Sequence, residues 1–201
     1  MKRINIYDFA AIVIFLCFVV GSILIVGKNE QKENTKPYFP TWKTIESGTY
    51  KNTNVIRKAL ISNGFTVEYW ADDILDKTPA VRKKIEWNLV LLSAAQLGFN
   101  DWVPYENIVR RAQKLGLKLA PAQTGPLLRL QYRDQPENEW LHIAMKPLID
   151  SNGDPTIFDI LHYDQHTHNG SHTHGHSLQL CSSSVRHDVL WSPSSIWVFF
   201  K

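Results

Sequence analysis

Residues Phe9 to Gly27 read FAAIVIFLCFVVGSILIVG, nineteen positions without a charged side chain. No other stretch constrains the chain so strongly. As a helix the run rises about 28 Å, close to the roughly 30 Å hydrocarbon core of a bilayer. It exceeds the hydrophobic region of a secretory signal, and Ile25 and Gly27 make a poor small-x-small cleavage site. Leu16 ahead of Cys17 is too bulky for lipoprotein processing. A buried soluble helix would carry a polar stripe, and this run has none. The expectation is an uncleaved, single-pass transmembrane anchor over 9–27 behind an N-terminal tail, 1–8. Lys2 and Arg3 flank one end and Lys28, Lys32 and Lys36 the other, so the positive charges nearly balance. The short tail favours a location with the following domain outside the cytoplasm.

Lys28–Pro40, KNEQKENTKPYFP, is polar and punctuated by proline. It has too little apolar surface to order itself and reads as a linker over 28–40. The remaining 41–201 are enough for one core. From Tyr38 onward there are 17 basic and 16 acidic residues, so charge gives no basis for nucleic acid as a partner. Cys17 and Cys181 are too far apart in sequence and setting to suggest a disulfide framework.

Helical signals dominate the first part of this domain. WKTIESG reads as a short strand. Asn52 or Thr53 then caps a helix carrying Val55, Ile56, Ala59 and Leu60, and Asn63-Gly64 stops it. EYWADDILDK is a second helix. Its adjacent Asp72 and Asp73 diverge by about 100° and cannot converge on one ligand. WNLVLLS is a buried strand. A helix from Pro104 to Leu115 carries Tyr105, Ile108, Val109, Ala112 and Leu115 inward and a basic outer face of Arg110, Arg111 and Lys114. The later segments LLRLQY, WLHIAMKP, TIFDILHY, SLQLC and SIWVFF alternate or run apolar like strands, with turns such as DSNGDP between them. The expected fold class is α+β: a transmembrane helix, then one domain with helices in its first half and an antiparallel sheet in its second.

The segments KTIESGT, IRKALISNGF, WADDIL, LVLLSAAQLGF, GPLLRLQYRDQP, EWLHIAMKPL and WSPSSIWVFF together resemble a domain family of uncharacterised bacterial proteins, over most of Trp42–Lys201. The resemblance implies an intact fold and carries no activity, cofactor or substrate. The resembled pattern has a cysteine where this chain has Ala120 and a glutamate where it has Gln123, so chemistry needing those groups is absent here. It has no histidine-rich connector.

That connector is HTHNGSHTHGH, His166 to His176. Imidazole binds zinc, nickel and copper well. In an extended hairpin His172, His174 and His176 would share a face, as would His166 and His168. Metal capture or sensing is one functional expectation, with Zn, Ni or Cu as the cofactor. Against it, no apolar residue pins the tract, and no second-shell partner is evident to orient the rings. Catalytic metal patterns fail: Gly170 stands where a metallo-lactamase motif needs aspartate, and no glutamate follows Glu139 to complete a cupin set. DSNGDP lacks the glycine and terminal glutamate of a calcium loop. Neither a nucleophile elbow nor a glycine-rich phosphate loop is present.

If LLRLQY and WLHIAMKP are neighbouring strands, Arg129, Gln131, Trp140 and His142 line one sheet face as a ligand platform. An enzyme using the Arg129/His142 face is a further alternative, weighed against the bland reading of a solvated face. The leading expectation is a membrane-anchored, non-catalytic binding or interaction module, with a protein or small molecule as partner. The seven tryptophans are expected mostly in the core; several exposed on one surface would favour an interaction patch.

Overall fold

EWNLVLLS forms β3 (Glu86–Ser93), a strand apolar on both faces, so it needs partners on both edges and cover on both sides. It obtains them from opposite ends of the chain. β1 (Lys43–Glu46) pairs antiparallel on one edge and β10 (Ile196–Phe200) antiparallel on the other. The computed structural model describes residues 37–164 and 176–201, side chains of 164 and 176 excepted, all within the unit Pro37–Lys201.

β10 continues the sheet by pairing parallel with β5 (Trp140–Ile143). β5 pairs antiparallel with β7 (Pro155–Asp164), and β7 antiparallel with β8 (His176–Ser184). β2 (Thr66–Val67) lies parallel against β8 at the far edge, and β6 (Leu148–Ile149) adds to β7. The curled eight-stranded sheet thus runs β1-β3-β10-β5-β7-β8-β2. A two-stranded ribbon, β4 (Val103–Pro104) with β9 (Leu190–Trp191), stands apart.

Four helices complete the described fold: α1 (Thr53–Ser62), α2 (Tyr69–Asp76), α3 (Tyr105–Lys114) and α4 (Thr124–Gln131). Asn52 caps α1 by accepting from Val55 N at 3.0 Å, and Glu68 caps α2 from Trp70 N and Ala71 N. α4 packs on the Phe158 side of β7: a Cβ on Gly125 would lie 2.5 Å from Phe158 Cβ. On the opposite side of the sheet, Tyr105 of α3 and Trp191 of β9 cover Trp197.

Three expectations are corrected here. The sheet does not belong to the second half: β1 and β3 come from the first, and two pairings are parallel, so the fold is a mixed sheet with four helices. LLRLQY is not a strand but the body of α4. Seven of that helix's eight residues are buried, so it shows no polar stripe. Its Leu-x-Leu alternation imitates a strand, and Pro126 sits in the first turn, where a missing N–H costs nothing. Lastly, among the described residues no helix is long and apolar enough to cross a membrane. That finding overturns the expected transmembrane fold element and single-pass membrane localisation. The run 9–27, with the tail and residues 28–36 of the linker, lies outside the described residues.

Candidate functional site

Asp159 sits in the middle of an apolar strand with no exposure at all. A buried carboxylate demands donors, and it has three. Trp140 Nε1 donates to Oδ2 at 3.0 Å and Ser183 Oγ at 2.5 Å, while His142 Nδ1 meets Oδ1 at 2.9 Å. Register explains the convergence: His142 faces Asp159 across β5–β7, and Asp159 faces Cys181 across β7–β8. The imidazole lies among Trp191, Trp140 and Trp197, with ring centroids at 4.5, 5.3 and 5.0 Å.

This node organises structure; it is not a charge-relay set. Asp159 is held by three side-chain partners. Ser183 bonds to the carboxylate and not to the imidazole. Burial pushes the Cys181 thiol up to about 12, with Asp159 and Glu68 adding to the effect, so the sulfur stays a neutral thiol at ordinary pH.

The expected platform does not assemble. Trp140 and His142 lie on β5, but Arg129 and Gln131 belong to α4, on the far side of the sheet. Arg129 is fully buried. It donates to Gln135 Oε1 and Tyr132 O and lies over the Phe65 ring at 5.2 Å. Burial draws its pKa down to about 10. Gln131 has an edge-blocking role: its amide donates to Glu46 O at 3.0 Å and accepts from Glu46 N at 2.9 Å. It closes the open edge of β1 as another strand would.

His166, His168, His172 and His174 lie outside the described residues, and His176 is placed only as the backbone opposite Asp164. Among the described residues no group of three or more His, Cys, Asp or Glu is arranged to hold a metal; the metal-binding expectation falls on the tract outside them. Asp72 and Asp73 diverge as expected. Arg57 bridges Asp72 and Asp76, whereas Asp73 takes Lys77 and Ser151. DSNGDP is a turn in which Asp150 accepts from Asn152 N, Asp154 N and Thr156 Oγ1.

The described surface offers a different site. A pocket of about 430 Å³ opens beside the first turn of α3. Tyr105, Val109, Leu119, Pro147 and Val185 give it apolar walls, and Arg110, Lys146, Arg186 and His187 bring nitrogen donors from three separate stretches. Glu106 is the single acid among the lining residues. No side chain caps α3, so the orphan N–H groups of its first turn add positive potential near the pocket. The Lys146 ammonium has no partner among the described residues. Arg186 is already tied to Asp188 at 3.1 Å and Asp154 at 3.5 Å, so less of its charge is available.

The pocket and the buried node are joined. Tyr105 forms a pocket wall, stacks on Trp197 at 5.3 Å and donates its hydroxyl to Met145 O; Trp197 in turn touches His142. The β4–β9 ribbon carries Pro104 of the lining, and the chain just ahead of β9 carries Arg186 and His187. The chain matches no family model, no curated protein and no solved structure.

Sequence reasoning missed both features. The node had a readable signal: an aspartate inside the apolar strand TIFDILHY must find donors. The pocket had none, because Arg110, Lys146 and Arg186 are 36 or more residues apart and each reads as ordinary surface charge.

Proposed function

We propose that this domain is a binding module for a small organic anion, held in the cleft between α3, the residues after β5 and the residues after β8. The observation that carries the reading is the convergence of Arg110, Lys146 and Arg186 on an apolar-walled pocket that holds one acid. Ligand sites combine such apolar walls with a few polar groups that fix orientation. An anion entering here gains an ammonium that has no partner among the described residues and a guanidinium whose one side-chain bond among them is to Asn107. The apolar walls exclude water from one side of it and strengthen the attraction.

Calorimetric titration of the full chain with hexanoate and benzoate tests this. Saturable binding is expected, weakened about three- to tenfold by Lys146→Ala and again by Arg110→Ala, the range for partly exposed charged contacts. Binding that ignores both substitutions, or no saturable binding of either anion, refutes the reading.

A further inference from the structure

The ribbon beside the pocket exposes large apolar side chains that its own fold does not use. Alternation along β4 and β9 sends Val103 and Trp191 inward, at 5% and 8% exposure. It sends Pro104, Leu190 and the preceding Trp102 outward. Trp102 is 61% exposed and Leu190 49%. Leu190 is the direct partner of Pro104 across the ribbon, and Pro104 is also part of the pocket lining. An apolar track therefore leaves the pocket at Pro104 and continues over Leu190 and Trp102. At the pocket end lie the cations Arg110, Lys146 and Arg186; the track itself carries no charge.

From this polarity we infer that the ligand is an amphipathic carboxylate, its head among Lys146 and Arg110 and its alkyl chain running over Pro104 onto Leu190 and Trp102. The inference rests on the cleft reading above and adds the chemical class. Charge complementarity chooses the occupant. A purely apolar ligand would leave Lys146 and Arg110 without counter-charge, and a short hydrophilic anion would leave the track uncovered. A cationic amphiphile would place its charge beside three like charges.

The test is a homologous series, hexanoate through dodecanoate, titrated calorimetrically into the full chain and into the Trp102→Ser/Leu190→Ser variant. Both substituted side chains are exposed, and circular dichroism checks that the variant folds. Each methylene that leaves water for the track is expected to raise affinity about fourfold in the native chain. The native-to-variant affinity ratio is expected to be smallest for hexanoate and to grow along the series, because the variant loses the gain at the long end. Decyltrimethylammonium, with a similar tail and the opposite head charge, is expected to bind at least about tenfold more weakly than decanoate. Hexanoate binding with the same chain-length dependence in both proteins overturns the inference and leaves the cleft reading intact. Equal binding of the cationic amphiphile also overturns it. Failure of hexanoate itself to bind removes the cleft reading, and the inference with it.

Discussion

Replacing Asp159 with alanine removes one acceptor from three donors, and the cost can be apportioned by what each donor finds instead. Trp140 is 48% exposed and Ser183 is half-buried, so both can turn to water. Each then loses about 0.5–1.5 kcal/mol of net hydrogen-bond stability. His142 is only 5% exposed and is enclosed by three tryptophans, so its Nδ1 proton is stranded. An unsatisfied buried donor costs about 1–3 kcal/mol, the largest single contribution. The total is about 2–6 kcal/mol, centred near 4, which brackets the roughly 3–5 kcal/mol for breaking a buried ion pair by removing one partner. With a urea m-value of about 2 kcal/mol/M, the unfolding midpoint falls by roughly 2 M. Asp159→Asn separates geometry from deletion. Its carbonyl still accepts from His142, and its amide can donate to the Ser183 hydroxyl. Only the Trp140 indole meets a second donor, and that group can reach water. The asparagine variant is expected to lose about 1–2 kcal/mol. Urea unfolding followed by far-ultraviolet circular dichroism measures both. An alanine variant within about 1 kcal/mol of the native chain would refute the reasoning, and so would an asparagine variant as damaged as the alanine one.

Three further outcomes follow from neighbouring contacts. Gly125→Ala places a methyl 2.5 Å from Phe158 Cβ, between a buried helix and a central strand, and is expected to cost about 3 kcal/mol in urea unfolding. Gly64→Ala meets no atom within 4 Å and pays only for its positive φ of 80°, about 1 kcal/mol. Equal losses from the two would refute the close approach of α4 to β7. Gln131→Ala opens the edge of β1. It is expected to cost about 1–2 kcal/mol and to speed amide exchange at Glu46, and unchanged exchange there would contradict the edge-blocking role. Because burial raises the Cys181 pKa to about 12, its thiolate fraction should climb tenfold per pH unit through the alkaline range. In a Cys17→Ser background, iodoacetamide labelling at pH 8 is expected to run over about a hundredfold slower than a free thiol. Labelling at the free-thiol rate would refute the burial argument.

Local physics made much of the fold readable. Asn52 before an apolar stripe, Asn63-Gly64 after it, and Pro104 ahead of Tyr105, Ile108 and Ala112 mark real helix limits, because caps and stripes act within a few residues. WNLVLLS is a strand, as its short apolar run suggests. Sequence reading failed where tertiary context decides. α4 is buried almost all round, so no solvent face exists to stamp a period on LLRLQY, and its strand-like alternation is accidental. Which strands pair is a non-local matter. Nothing near SIWVFF reveals that it inserts parallel to β5 and antiparallel to β3, joining the two halves of the chain into one sheet. The Arg129/His142 platform failed with that error: once LLRLQY leaves the sheet, Arg129 becomes a buried cation bridging backbone and amide, and Gln131 an edge guard. His142 kept a place of consequence, but for a partner, Asp159, that pattern reading did not single out.

The same insertion of β10 ties the proposed ligand cleft to the core. Trp197 lies in the row His142–Asp159–Cys181 and carries the Tyr105 ring on its face. Tyr105 fixes the start of α3, and the start of α3 fixes where Glu106, Val109 and Arg110 project into the pocket. A change in the node is therefore expected to reach the cleft through two packed aromatic rings and one hydrogen bond to Met145 O. Packed interiors transmit such shifts because they have little void to absorb them. If the cleft binds anions as proposed, Asp159→Asn should weaken hexanoate binding at temperatures where the variant is still fully folded, although Asp159 touches no ligand. Unchanged affinity in a demonstrably folded variant would show that the ribbon and the residues after β5 and β8 hold the cleft by themselves, and that Tyr105 is only one of its walls.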